Sequence, residues 1–294
     1  MKLNTASLFA VPALIWGSTF FVIKFQLGIV DPTWSVSYRF MLAGILLLLF
    51  SKLKGLNLSF SFSQHKFIFL QGIFLFGINY WLVYIAEQVL ISALAAVAFS
   101  IIIFLNILFG AVFLGKKTEP KVYVGAVMGF VGTFILFRTD LVRLDFEDLP
   151  HYHLAVCFLS VIVASLGNIT SARNQANNLP VIQTNAFGML YGGFSIGIIA
   201  LLSGKPIAFD FSMAYMGSLA YLAVFGSILA FGAYLTLIGK IGPDKAAYVL
   251  IMIPIIAVSL SIVFEDYPFG GEVVAGIVLI LAGNIVVLRK RKPA

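Results

Sequence analysis

Apolar residues occur along this chain in ten long runs, separated by short polar segments. The runs are too continuous for barrel strands, so each predicts a helix of about 20 residues that crosses a bilayer. In lipid, a helix pairs its backbone polar groups within its own segment. The predicted fold class is therefore all-α and integral to a membrane. The predicted helices are Ala6–Lys24, Thr33–Ser51, Phe67–Ala86, Ser92–Leu114, Lys121–Arg138, His153–Arg173, Val181–Leu202, Ser212–Ile238, Lys245–Phe264 and Gly271–Arg289.

Composition supports the bilayer as the surrounding solvent. Of the 294 residues, 61% are hydrophobic and 11% are charged, whereas soluble proteins carry about 25% charged residues. Ten membrane-spanning helices would use about 200 positions. Only short loops remain, which leaves no room for a soluble domain.

Charged residues are sorted between alternate gaps in the apolar pattern. Fourteen of the 19 basic residues fall in one set of gaps: Lys2, Lys52, Lys54, Lys66, Lys116, Lys117, Lys121, Arg173, Lys240, Lys245, Arg289, Lys290, Arg291 and Lys292. Basic residues remain on the cytoplasmic side of inserted helices, so both termini are predicted to be cytoplasmic. Because topology accounts for the net charge of +7, we expect no nucleic-acid partner.

A repeat divides the chain into two halves. A shift of 151 residues places Ala95 on Ala246, Gly125 on Gly276, Gly132 on Gly283 and Arg138 on Arg289. We therefore predict two domains, residues 1–145 and residues 146–294, with five helices each. Since five is an odd number, the second half enters the membrane from the opposite side. Such inverted repeats are typical of transporters with a site between the halves.

Small residues mark two helix faces. The fifth predicted helix carries Gly125, Gly129 and Gly132, and the seventh carries Gly188, Gly192, Gly193 and Gly197. Spacings of three and four residues place these glycines on one side of each helix, where backbones can approach closely. We expect packing within one chain, while the oligomeric state, monomer or homodimer, stays open.

Several short motifs occur in a fixed order. They are Trp16-Gly17-Ser18-Thr19, Tyr38-Arg39-Phe40, and Phe113-Leu114-Gly115 before the Gly125…Gly132 helix. With the ten apolar runs, this order resembles the EamA-type transporters of the drug/metabolite transporter superfamily over essentially the whole chain. The resemblance implies a multi-pass carrier of the inner membrane that exports amino acids or other small metabolites. It also implies a cavity between the two repeats.

Arg39 is the leading candidate for substrate binding, since a charge within a membrane helix is costly and needs a partner. It lies about six residues, roughly 9 Å, below the outer end of the second helix. Its guanidinium would hold a carboxylate through two parallel hydrogen bonds. Two alternatives are snorkelling to the outer headgroups and a structural pairing.

Other polar residues within the predicted helices complete the candidate binding set. Trp16, Ser18 and Thr19 form a small group in the first helix, where the alternative for Trp16 is ordinary packing. In the third helix we select Asn79, Tyr80, Tyr84 and Gln88, the last three at four-residue spacing. For Tyr84 we favour a place in the aromatic belt at the interface. Asn168 is as suited to hydrogen bonding between helices as to binding substrate.

Energy coupling has few candidates in this sequence. No Asp or Glu occurs in the middle of a predicted helix, and Glu87 is near the outer end of the third. Proton-driven carriers commonly use a buried carboxylate. We therefore expect that any coupling to protons does not use a mid-membrane carboxylate, which leaves facilitated diffusion, exchange or protonation at Glu87.

Other classes of protein fit less well. His151 and His153 alone would make a weak metal site, and no GxxxxGK[ST] phosphate-binding loop is present. We expect no catalytic residue, metal or cofactor, and a lipid bilayer and a small-molecule substrate as partners. A channel-like facilitator and a scaffold that transports nothing remain the alternatives to a carrier.

Overall fold

The structure, a computed structural model, describes residues 4–90, 95, 98–142, 151–264 and 270–288. Some of the sequence-based predictions lie outside the described residues. They are the start of the fourth predicted helix at Ser92, the domain boundary between residues 145 and 146, and the end of the last predicted helix at Arg289 with its alignment to Arg138.

Helices dominate the described residues, which contain no strand, so the predicted all-α class is confirmed. Among these residues, five helices are long and apolar enough to span a membrane, namely α2, α3, α6, α7 and α8 as numbered below. In chain order the long helices are α1 Thr5–Ile23, α2 Pro32–Leu53, α3 Phe62–Glu87, α4 Ile102–Leu114, α5 Pro120–Leu136, α6 His151–Ala176, α7 Val181–Leu202, α8 Met213–Ile241, α9 Tyr248–Phe264 and α10 Gly271–Leu288. Shorter helices cover Lys24–Gln26, Arg138–Val142 and Pro243–Ala246.

Local sequence sets the helix ends. Asp31 caps α2 by accepting from the Thr33 amide, and Pro32 occupies the first turn, where its missing N–H costs nothing. Ser61 and Gln64 form a capping box that starts α3 at Phe62. The predicted start at Phe67 is therefore wrong, because the Ser-x-x-Gln signal precedes the apolar run.

Two helices contain a π-helical segment. The segment covers Ile73–Ile78 in α3 and Leu222–Leu229 in α8. A π segment accommodates one extra residue in the helix and is frequent at functional sites. The 151-residue shift found in the sequence carries residues 73–78 onto 224–229, so both halves of the chain have this irregularity at the same place.

Helices α5 and α10 pack through glycines in a reciprocal arrangement. A Cβ atom built on Gly125 would lie 2.9 Å from the Gly283 carbonyl oxygen, and one on Gly276 would lie 2.8 Å from the Gly132 carbonyl oxygen. The contacts run in opposite directions along the two helices, so the helices are antiparallel. Only glycine permits this approach of the backbones.

Helices α2 and α7 form a second antiparallel pair. A Cβ atom on Gly193 would lie 2.8 Å from the Met41 amide nitrogen, and one on Gly44 would lie 2.9 Å from the Leu190 amide nitrogen. Helix α7 also packs against α3, where Gly72 contacts the Gly188 carbonyl. Both glycine faces predicted from the sequence are thus occupied within the chain.

We expect Gly276→Ala to lower the thermal unfolding temperature of the detergent-solubilised protein by about 5 °C, since overpacking costs about 1–3 kcal/mol. The added methyl group would meet backbone atoms of α5, which cannot move independently of their helix. Gly217→Ala on α8 is the matched control, because a Cβ there meets nothing within 4 Å. Equal unfolding temperatures for the two variants would contradict the close packing of α5 and α10.

Candidate substrate site

Arg39 on α2 is buried between helices and has no carboxylate in hydrogen-bonding contact among the described residues. Its side chain is 0% exposed. The Nε atom donates to Ser227 Oγ on α8 at 3.0 Å, and Nη1 lies 3.5 Å from the Tyr84 hydroxyl on α3. The guanidinium carbon stands 4.6 Å from the centre of the Tyr80 ring, a cation–π contact. This burial contradicts the alternative in which Arg39 snorkels to the headgroups.

The π segment of α8 supplies the groups that face Arg39. Ser227 donates its hydroxyl proton to the Leu222 carbonyl, five residues earlier, at 3.0 Å. The Gly226 carbonyl accepts from Trp16 Nε1 on α1 at 3.0 Å. A Cβ atom on Gly226 would lie 3.0 Å from Arg39 Nη2, so glycine allows α8 to approach the guanidinium here. The irregular turn therefore fastens both α1 and α2 to α8.

Aromatic rings surround this group. The ring of Phe231 lies 4.9 Å from Trp16, 4.9 Å from Phe76 and 5.9 Å from Tyr80, measured between ring centres. Trp16, Arg39 and Tyr80 are therefore gathered in one place. Their side chains and the ring of Phe231 pack against one another, so the predicted shared cavity is closed here in this conformation.

Tyr84 and Thr19 also belong to the group around Arg39. Tyr84 is 0% exposed, so the favoured placement in an interfacial belt is wrong. Its hydroxyl faces the guanidinium, which gives a buried tyrosine the polar partner that it needs. Thr19 donates to the Trp16 carbonyl at 2.8 Å, and its methyl group faces the Cα atom of Gly226.

Two predicted residues point elsewhere. Gln88 is exposed and directly follows the last residue of α3, so it is not buried with the group around Arg39. Its role in substrate binding stays a prediction. Ser18 lies 2.7 Å from the hydroxyl of Tyr221, between α1 and α8 and to one side of the Arg39 group.

The two predicted amides make contacts between helices. Asn79 on α3 donates to the Ser160 carbonyl on α6 at 2.9 Å. Asn168 on α6 donates to the Tyr234 hydroxyl on α8 at 3.1 Å. Tyr234 in turn packs edge-on against Trp16, with ring centres 5.2 Å apart. Asn168 is thus one contact away from the Arg39 group, whereas Asn79 fixes α3 against α6.

Glu87, the last residue of α3, is an acidic group close to this site in sequence, three residues beyond Tyr84. Its Oε1 atom is buried and has no hydrogen-bond partner. The carboxylate interacts electrostatically with Arg39 and Lys24 without a hydrogen bond to Arg39. It therefore lies at the edge of the site, one turn beyond Tyr84. Among the described residues, no group of three or more His, Cys, Asp or Glu could hold a metal ion.

Sequence reasoning missed Gly226, Ser227 and Phe231 on α8, and Phe76 on α3. The repeat contained the missing signal for Phe231. A shift of 151 residues carries Tyr80 onto Phe231, and these two rings contact each other in the structure. Applying the repeat to Tyr80 would have pointed to Phe231, whereas no candidate in α3 is carried onto the π segment of α8.

An ion pair closes the end of the bundle nearest to the start of α2. Lys205 Nζ lies 2.9 Å from Asp31 Oδ2, and the Lys205 carbonyl accepts from Trp34 Nε1 at 3.3 Å. Burial raises the pKa of Asp31, but the hydrogen bonds from Lys205 and Thr33 outweigh it, so the pKa is lowered overall. The segment that follows α7 is thereby fastened to α2, above Arg39.

Comparison with known proteins identifies the family. The model of the EamA-like transporter family matches residues 3–138 and, a second time, residues 152–289. The chain belongs to this family of transporters. The resemblance inferred from the Trp16 and Arg39 motifs is confirmed.

Similar proteins cover nearly the full length of the chain. An uncharacterized inner membrane transporter of Escherichia coli K12, YedA, is 30% identical over 93% of this chain and 85% of its own. A probable amino-acid metabolite efflux pump of the same strain is 23% identical over 95% and 94% of the two chains. A crystal structure with 18% identity superposes with a TM-score of 0.79, covering 97% of this chain and 96% of the other, which supports the fold alone.

We expect Asp31→Asn to lower the unfolding temperature slightly at pH 7, by an amount that corresponds to at most about 1 kcal/mol. Asn keeps the helix cap, so the variant removes the charge pair alone. Because the pKa of Asp31 is lowered in the folded protein, its contribution is present above the unfolded pKa and is lost as pH falls through the folded value. The difference between variant and wild type should therefore shrink below about pH 4.

Lys205→Gln provides the control for this pair. In the double variant, the two losses of unfolding temperature should not add, since each substitution removes the same interaction. Additive losses of unfolding temperature would show that Asp31 and Lys205 do not stabilise this end of the bundle as a pair. So would a difference between Asp31→Asn and wild type that grows on acidification.

Proposed function

We propose that this protein is a secondary transporter of the inner membrane that moves small carboxylated metabolites by alternating access, with export the favoured direction. Amino acids or related amphipathic solutes are the proposed cargo. Ten helices cross the membrane, in two inverted halves of five, residues 1–145 and 146–294, and both termini are cytoplasmic. Arg39 binds the carboxylate of the substrate.

The inverted halves are supported by how equivalent helices pack. Helices α2 and α7 occupy the same place in each half, as do α5 and α10, and each pair is antiparallel. The family model matches the chain twice, with a similar length each time. A two-fold axis in the membrane plane would relate such halves and would place the Tyr80–Phe231 contact near that axis.

Arg39 is the observation that carries the proposed cargo. A buried guanidinium is costly unless a charge or a full set of hydrogen bonds compensates it. Here Nη2 has no partner, and the contacts of the other nitrogens are neutral. A carboxylate would supply both the charge and the missing acceptor. The aromatic rings beside it suit the apolar part of an amphipathic solute.

Two further observations refine the proposal. The name of one relative, a probable amino-acid metabolite efflux pump, favours amino acids as cargo. Glu87 is the proposed coupling residue, since its Oε1 is buried without a hydrogen-bond partner and it lies one turn beyond Tyr84, whose hydroxyl faces Arg39. Protonation of Glu87 would change the charge at the edge of the site when substrate is released.

We expect Arg39→Gln to reduce transport of a carboxylated substrate by at least about tenfold, since a charge-assisted pair contributes more than a neutral hydrogen bond. A neutral amide analogue should be affected much less. The measurement is uptake of labelled amino acids and their amides into proteoliposomes. Arg138→Gln, at an exposed arginine, is the matched control and should behave as wild type. An equal loss of transport for the amino acids and their amides would indicate that the role of Arg39 is structural.

Single cysteines test the inverted topology. Lys54 follows α2 and Ser203 follows α7, at equivalent places in the two halves. In a Cys157→Ser background, we expect Lys54→Cys to react with an impermeant maleimide from the cytoplasmic side and Ser203→Cys from the outer side. Labelling of both from the same side would refute the inverted arrangement.

A further inference from the structure

On one edge of the Arg39 guanidinium, only one of the two nitrogens has a hydrogen-bond partner. Nε and Nη2 form the side-on edge of an arginine, which binds the two oxygens of a carboxylate in parallel. Ser227 Oγ occupies the Nε position at 3.0 Å. Nη2, the other half of the edge, is buried without a partner. Ser227 thus provides one of the two oxygens that this edge can bind.

The geometry of α8 fixes the Ser227 oxygen in this role. Its hydroxyl proton is directed to the Leu222 carbonyl, so a lone pair remains for Arg39. The hydrogen bond spans five residues because this turn is π-helical. A hydroxyl that was free to rotate would donate elsewhere, whereas this one is held as an acceptor.

The same place has no room for a second occupant. A Cβ atom built on Gly226 would lie 3.0 Å from Nη2 and 3.2 Å from the Thr19 methyl carbon. A carboxylate that bound Nε and Nη2 would therefore have to take the position of the Ser227 hydroxyl. For that, α8 must move away from α2.

We propose that Ser227 is the internal partner of Arg39 in the empty transporter, and that the substrate carboxylate displaces it from the side-on edge. The inference rests on the proposed function of Arg39. Ser227 compensates the guanidinium in part, which allows α2 and α8 to close without substrate. The empty transporter can then return across the membrane, so net transport does not need a counter-substrate.

Serine is suited to this exchange because it is neutral. Alanine at position 227 would leave Nε and Nη2 both unpartnered in the closed empty state, whose population would fall. Aspartate would fill the edge permanently with its own two oxygens. The two substitutions therefore have opposite effects on the stability of the closed state, and both impair net transport.

The first experiment needs no ligand. Thermal unfolding is measured in detergent for Ser227→Asp and for Ser160→Asp, which places a carboxylate at another fully buried serine, one that bonds the Cys157 carbonyl. We expect Ser227→Asp to unfold at or above the wild-type temperature and Ser160→Asp several degrees below it. In an Arg39→Gln background, the Ser227→Asp change should become destabilising. An equal fall in unfolding temperature for Ser227→Asp and Ser160→Asp would overturn the proposal.

The second experiment separates net transport from exchange. Proteoliposomes are loaded with a labelled mixture of the common L-amino acids, and efflux is followed with and without unlabelled amino acids outside. We expect Ser227→Ala to reduce net efflux at least about fivefold and exchange less than about twofold. Ser51→Ala, at a buried serine that bonds the Leu47 carbonyl, is the control.

Each outcome of the second experiment tests either the role of Ser227 or the proposed amino-acid cargo. Equal losses of net efflux and exchange, or no loss of either, would overturn the role of Ser227. If the wild-type protein moves no amino acid, the proposed cargo is wrong, and the unfolding temperatures still decide whether Ser227 and a carboxylate share the edge of Arg39.

Discussion

The structure depends on how the protein compensates one buried positive charge, that of the Arg39 guanidinium. The guanidinium of Arg39 lies inside a lipid-embedded bundle, where an isolated charge costs several kcal/mol. The protein surrounds it with a serine hydroxyl, a tyrosine hydroxyl and the faces of aromatic rings. None of these groups carries charge, so a carboxylate bound directly to Arg39 would supply the charge that its contacting groups lack.

The helix packing brings these groups together. Glycines on α7 let α2 and α3 approach it closely, and Gly226 lets α8 reach Arg39. The π segment then presents the Gly226 carbonyl to α1 and the Ser227 hydroxyl to α2. A regular α-helix at this place would rotate these groups by about 100° for the extra residue. The π segment therefore positions the groups around Arg39, and the glycines allow the helices to pack closely around them.

The sequence predicted the large features because lipid imposes strict rules on them. Long apolar runs and the glycine faces follow from periodicity and the cost of burying polar groups. The choice of Trp16 rested in addition on the family motif. The sequence did not predict Ser227, because its role depends on a π segment that no simple helical spacing reveals. Tyr84 was misplaced because α3 packs against α2 and α6, which buries a side chain that the sequence pattern alone leaves at an interface.

The most direct test of alternating access is the reactivity of a cysteine placed beside Arg39. Thr19→Cys, in a Cys157→Ser background, would stand against Gly226 at the closed site. In sealed vesicles of known orientation, our account predicts reaction with a small impermeant thiol reagent from either side of the membrane, and protection by a transported carboxylate. Reaction from one side alone, or no protection by any transported solute, would contradict it.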